Sequence, residues 1–395
     1  MTRESLIPAL DEALASEGQS AAVEVLVRDL EERGEWRALL DALLLRARLD
    51  LGLPTVLVEP LSSLEEPART QYEDRYVAAL RHVGTRLLAA GDIPGAWPYF
   101  RVLGEKEPVA AALDALEVGR DDPQIGALID VAFQSGVHPR RGYRLLLDQY
   151  GTCSAITAFE QLPMDEAVRA DCAAMLVRTL HEQLTANVRA DLEQRGESLP
   201  SPTPSLAQML KGRDHLLADD AYHIDISHLA SIVRLGPLLG DETAIGLAAD
   251  LCAYGRRLSS RLRYDDLPPF ESTYEDHAFY LNAMLGSDID AALDHFRRKL
   301  PQPNPEGESD GDTRAAEVLV RLLARLGRLD EAIDVATEHL SHVPEGALSC
   351  PSLSTLCLRA GRLDQLAEVS RRLDDPVRYL AARIDRADFT GRARS

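Results

Sequence analysis

Between His215 and His228, seven of fourteen positions are His, Asp or Tyr: His215, Asp219, Asp220, Tyr222, His223, Asp225 and His228. Imidazole nitrogens and carboxylate oxygens are the donor set of zinc, iron and manganese sites, and the open positions of such sites take water. The spacing admits two arrangements. If a helix begun at Ser205 runs on, His215, Asp219 and His223 fall at successive four-residue steps on one face. If it breaks near Asp220 and a new helix starts around Tyr222, Asp225 and His228 share a face with His223 at its lip. His215, His223, Asp225 and His228 are therefore the candidate metal ligands. A water on a divalent ion such as zinc would act as nucleophile or base at neutral pH, with Asp220 or Tyr222 beside it. The same residues also read as a solvated helix end, with an N-capping Asp and histidines bonded to nearby carbonyls.

Three other stretches carry chemistry-bearing side chains. Tyr264 to His277 holds five carboxylates beside a Pro-Pro turn. Thr273 followed by Tyr, Glu and Asp reads there as a helix start with acids favoured by the helix dipole. Glu271 or His277 could complete the first cluster, and His277 is a third catalytic candidate. Cys153 lies in the first turn of an expected helix, where the dipole favours a thiolate, and His138 is its candidate partner. Arg140 and Arg141, with Tyr143 just beyond them, make a basic spot on an acidic protein and are candidate ligand-binding residues. Glu306, Glu308, Asp310, Asp312 and Glu317, with Gly311, follow the spacing of an EF-hand calcium loop, although a Pro-rich approach stands where the entering helix should be. A solvated acidic loop reads the same way. There is no GxGxxG after a strand, no GxxxxGK[ST], no GxSxG and no HExxH.

These residues need elements to hold them, and composition says which kind. Aromatics are 5% of the chain, and Ala, Leu and Arg abound, which favours helix over strand. The net charge of −21 repels nucleic-acid phosphates and anionic lipid head groups, so neither is an expected partner. Five cysteines, odd in number and without a CxxC, fit reduced thiols in the cytoplasm. No apolar run suggests a signal peptide or a membrane helix.

Along the chain, apolar residues recur at helical steps on both sides of Gly34: Val23, Leu26 and Leu30 before it, Leu39, Leu40, Leu43 and Leu44 after it. Pro54 and Pro60 bound an extended connector. Pro139 suits a first helical position and Gly151 a helix C-terminus. Two linkers stand out, 195–205 with three prolines and the polar 301–312. They divide the chain into an N-terminal helical-repeat region (1–195), a central block holding the cluster (205–300) and C-terminal repeats (313–395).

From Tyr72 a more specific pattern emerges. Gly84, Gly91, Ala96, Phe100 and Pro108 are spaced as small, small, small, aromatic and proline. It returns in Gly327-Arg-Leu-Asp-Glu-Ala332 with Pro344, and in Gly361-Arg-Leu-Asp-Gln, 34 residues after Gly327. Looser copies occur at Gly286-Ser-Asp-Ile-Asp-Ala291-Ala292 and at Gly34-Glu-Trp36. This resembles the tetratricopeptide repeat, over roughly half the chain. Val320, Ala336 and Leu366 depart from it. The resemblance implies an all-α, curved right-handed α-solenoid of helical hairpins with a concave face. The expected function is a soluble scaffold that binds a peptide, a protein or a small ligand on that face. The alternative is a metal-dependent or acid/base enzyme with its site in residues 205–280.

Overall fold

A computed structural model describes residues 3–56, 64–119, 122–161, 164–199, 201–301 and 313–392. Among them the chain is all-helical. It has nineteen α-helices and no β-strand, only an isolated bridge between Asp265 and Ser272. No helix of the described residues is long and apolar enough to cross a membrane.

The helices divide into two compact units, Met1–Ala155 and Ile156–Ser395. The division falls shortly after Gly151, whose φ of 76° and ψ of −178° interrupt the helix Pro139–Gln161. The linker at 195–205, expected to separate domains, lies inside the second unit. The described ends of the linker at 301–312, and of the connector closed by Pro60, are non-helical. The rest of those two stretches, including the calcium-loop candidates Glu306 to Asp312, lies outside the described residues.

The first unit contains a run of helices each packed on the next: Arg3–Ser16, Gln19–Arg33, Trp36–Asp50, Ala68–Ala89, Ile93–Leu103 and Glu107–Ala115. Gly18 and Gly34 part the first three with positive φ, as expected. At Gly84 an added Cβ would lie 2.7 Å from the Phe100 ring, so only glycine lets these two helices approach. Gly91 turns the chain at φ 81°, Asp92 caps the next helix through the Gly95 N–H, and Ala96 and Phe100 are buried. The repeat resemblance implies that Pro108 ends the second helix of this hairpin, and here the structure differs. The helix ends at the left-handed Gly104, and Pro108 sits in the first turn of the following helix. A proline lacks the donor that a first turn leaves unpaired anyway.

In the second unit the helix Glu166–Gln194, capped by Asp165, buries a full stripe from Val168 to Leu192 against its neighbours. Three hairpins follow. Thr273–Met284 turns into Ile289–Arg297 at Gly286, Arg314–Arg325 into Leu329–His339 at Gly327, and Leu353–Ala360 into Leu363–Arg372 at Gly361. All three glycines have positive φ, the conformation a side chain resists. Tyr280, Phe296, Leu319, Leu323, Ile333 and Leu356 form a continuous core through them.

Candidate functional site

The stretch from Ser205 to His228 does not form the continuous helix that would align its histidines. Ser205 and Gln208 make a reciprocal capping box, but the helix is only Leu206–Leu210. A 3₁₀ turn follows at Asp214–Leu217, and then Asp219 and Asp220 both take positive φ, 54° and 60°. Asp is among the few residues that tolerate this conformation. His215, Asp219 and His223 therefore never share a helix face. The next helix, Ile226–Val233, starts later than expected.

The side chains of His215, His223 and Asp225 are each engaged separately. His215 bonds through Nε2 to Glu197 Oε1 at 2.6 Å, and Arg213 binds the other oxygen of that carboxylate. The His215 imidazole, ahead of Arg213, holds Glu197 below the usual carboxylate range. Asp225 is the N-cap. Its Oδ1 accepts from the Ser227 hydroxyl, the Ser227 N–H and the His228 N–H, which lowers its pKa. His228 lies in the first turn of the helix that Asp225 caps. Among the described residues no three His, Cys, Asp or Glu side chains come together in a way that could hold a metal ion. The donors are abundant along the sequence, but their local backbone sends them to different partners.

His223 joins a hydroxyl and a carboxylate. Its backbone N–H donates to Tyr254 Oη at 2.8 Å, and its Nδ1 lies 3.1 Å from the same oxygen. Its Nε2 lies 3.1 Å from Asp191 Oδ2. In the tautomer that donates Nε2–H to Asp191, the tyrosine hydroxyl donates to Nδ1 while its oxygen accepts the backbone proton. Arg195 first, and His223 after it, depress the Asp191 pKa. The order of hydroxyl, imidazole and carboxylate matches a nucleophilic triad. Tyr254, however, is fully buried, and burial pushes its hydroxyl up to about 12. It offers no surface to a substrate and stays protonated at neutral pH. With Asn187 bonded to the His223 carbonyl, this network fastens the loop before Asp225 to two helices.

The remaining catalytic candidates are also apart. Asp220 is 3.9 Å from Arg261, and Tyr222 is exposed. His277 is buried, stacks on Phe270 at 4.0 Å and donates from Nδ1 to the Thr273 carbonyl. Burial lowers its pKa to about 4, so it is a neutral core imidazole. Next to it in sequence, the buried Asp276 accepts from the Ser272 N–H, from His295 Nε2 at 2.7 Å and from Lys299 Nζ at 2.8 Å. Lys299 also holds Glu271 and the Pro269 carbonyl, while Asp266 pairs with Arg234. Three of the five carboxylates around Pro268 and Pro269, Asp266, Glu271 and Asp276, are thus tied to cations of their own unit.

The basic spot in the first unit is structural in two of its three members. Arg141 donates to the carbonyls of Leu113 and Leu116, satisfying the end of the helix Glu107–Ala115. Tyr143 is fully buried, with its hydroxyl on the Ala155 carbonyl. Arg140 is exposed. His138 takes the Arg141 N–H and pairs with Asp114, while Cys153 is exposed. The one described member of the calcium-loop pattern, Glu317, is committed to Ser349 and Thr313.

A concave site does exist, in a part of the chain where the sequence pattern pointed only to packing. The helices Gln19–Arg33, Trp36–Asp50 and Ala68–Ala89 enclose a groove of about 470 Å³. Val27, Leu43, Ala47 and Ala79 supply buried apolar walls, and Glu24, Arg28, Glu31, Arg46, Arg75 and His82 the polar rim. Arg46 pairs with Glu24, His82 and Arg86 with Glu31, and Arg75 with Asp50. Arg28 has no hydrogen-bond or ion-pair partner within the described residues. The signal for this rim was present as Glu24, Arg28 and Glu31 at helical steps, and as Arg75 and His82 two turns apart.

No family model and no curated protein matches this chain.

Proposed function

We propose that the chain is a tetratricopeptide-like, right-handed α-solenoid scaffold of the cytoplasm whose N-terminal groove binds a peptide segment. The observation that carries this reading is the groove itself. Three successive helices provide an apolar floor, and one cation on the rim, Arg28, lacks an anion among the described residues while its neighbours are matched. An apolar recess beside an unsatisfied guanidinium suits a small aliphatic side chain next to a carboxylate, either an acidic residue or a peptide C-terminus. The roles of Gly84, Gly91, Ala96 and Phe100 in the adjoining hairpin support the repeat resemblance. The five free cysteines support a reducing compartment.

The test is selection from a displayed library of random peptides on the full chain. Enriched peptides should carry a carboxylate beside an aliphatic residue. Arg28→Ala should weaken them roughly tenfold or more, as loss of a charged hydrogen bond does. Ala78→Trp, at an exposed position on the groove wall, should block them with the fold intact. Failure to enrich any such peptide, or equal binding by both variants, would remove the reading.

A further inference from the structure

In the second unit the helix Glu242–Gly255 ends against the Tyr274 ring, so closely that a Cβ at Gly255 would strike it. A 3₁₀ turn at Ser260–Leu262 follows, and the bridge between Asp265 and Ser272 leads into the helix Thr273–Met284. The Thr273 hydroxyl ties this frame together by donating to the Tyr264 carbonyl at 2.8 Å. The frame surrounds a cavity of about 200 Å³, small beside the roughly 300–1,000 Å³ of sites for drug-sized ligands.

Four charged side chains line this cavity: Arg256, Arg263, Asp265 and Glu275. Within the described residues none of them forms an ion pair, with one another or with any other group. Around them pairing is the rule, as Arg257 holds Asp214, Arg234 holds Asp266 and Lys299 holds Glu271. Arg263 is turned to backbone instead. It donates from Nε to the Leu258 carbonyl at 2.9 Å and from Nη2 to the Arg256 carbonyl. These bonds fix its guanidinium without neutralising it and leave Nη1 uncommitted, so an anion would meet a donor that is already oriented. The Arg256 guanidinium makes no hydrogen bond within the described residues. Asp265 and Glu275 are the two carboxylates around Pro268 and Pro269 that none of those residues' cations holds. A simple anion in so small a space would lie beside two carboxylates, and a simple cation beside two guanidinium groups. A molecule carrying both signs a few atoms apart answers all four.

We propose that this cavity binds a small zwitterion of the α-amino acid class, its carboxylate on Arg256 and Arg263 and its ammonium group on Asp265 and Glu275. Isothermal titration calorimetry of the full chain tests it, with the twenty common L-amino acids as probes. At least one should bind with a dissociation constant below about 1 mM. Its N-acetyl derivative, which lacks the ammonium, and its decarboxylated amine, which lacks the carboxylate, should each bind at least about tenfold more weakly. Arg256→Ala should weaken the amino acid by at least about tenfold. The exposed, isosteric pair Asp265→Asn and Glu275→Gln should leave the circular dichroism unchanged and bring the free and N-acetylated forms to within about threefold of each other. Dissociation constants above about 10 mM for all twenty would overturn the proposal. So would a wild type that binds the acetylated form or the amine as well as the amino acid, or variants that bind and discriminate as the wild type does.

Discussion

Two neighbouring regions of the second unit use charged residues in opposite ways. In the hairpins the charges lie outside and repeat. Asp290 pairs with Arg328 and Asp330 with Arg362, each linking the start of one hairpin's second helix to the turn of the next hairpin, and Asp364 pairs with Arg386 of the last helix. Where the first hairpin packs on the Pro-Pro turn before it, charges turn inward. Asp276, 2% exposed, holds His295 and Lys299, and His277 sits neutral beneath Phe270. The two later hairpins have an almost wholly apolar core, with Glu317 and Ser370 as its buried polar members. The central block has short helices, two aspartates at positive φ and a Pro-Pro turn, and its polar groups hold those irregular segments in place. A density of His and Asp can therefore mark a stretch with little apolar surface to pack as readily as it marks a catalyst.

If that contrast holds, removing a central carboxylate should cost most. Asp276→Ala leaves Lys299 and His295 without their shared anion and should destabilise the chain by about 3 kcal/mol in urea titration. A loss below about 1 kcal/mol would mean that the network is not structural.

The pH dependence comes next in size. His277 has a folded pKa of about 4 against an unfolded value near 6.5, so between those values the unfolded chain binds the extra proton. Its contribution is complete above pH 6.5 and is lost as pH falls toward 4, amounting to up to about 3 kcal/mol. Asp191 and Asp225, with lowered values, lose their contributions only below their unfolded values near 4. The interval from pH 6.5 to 4.5 therefore isolates the imidazole from these carboxylates. His277→Gln should flatten the fall of the urea midpoint across it. An identical slope in both proteins would place the proton elsewhere.

The smallest effect belongs to the hairpin ladder. Arg362 and Asp330 are both more than half exposed, and their double-mutant cycle should give a weak coupling that vanishes in high salt. A strong coupling that survives high salt would show that the ladder, and not the core, sets the hairpin stacking.

The hairpins were legible because their determinants are local. Gly327 and Gly361 need a left-handed turn, and the apolar residues within three or four positions of one another fix the buried face whatever the rest of the chain does. The break at Gly151 and the role of Gly84 were legible for the same reason. The partners of His215 and His223 were not, because Glu197 and Asp191 approach from 18 and 32 residues away. Helix periodicity also failed at Lys211, where the chain leaves the helix after five residues. The groove was hidden in the same way. Helical spacing placed Glu31 and His82 each on a face of its own helix, but only packing across 51 residues brought those faces together over a shared floor. The sequence determined where this chain turns and which side of each helix is apolar. Tertiary structure decided which charges met, because that depends on how separate helices pack, and left Arg28 without an anion among the described residues.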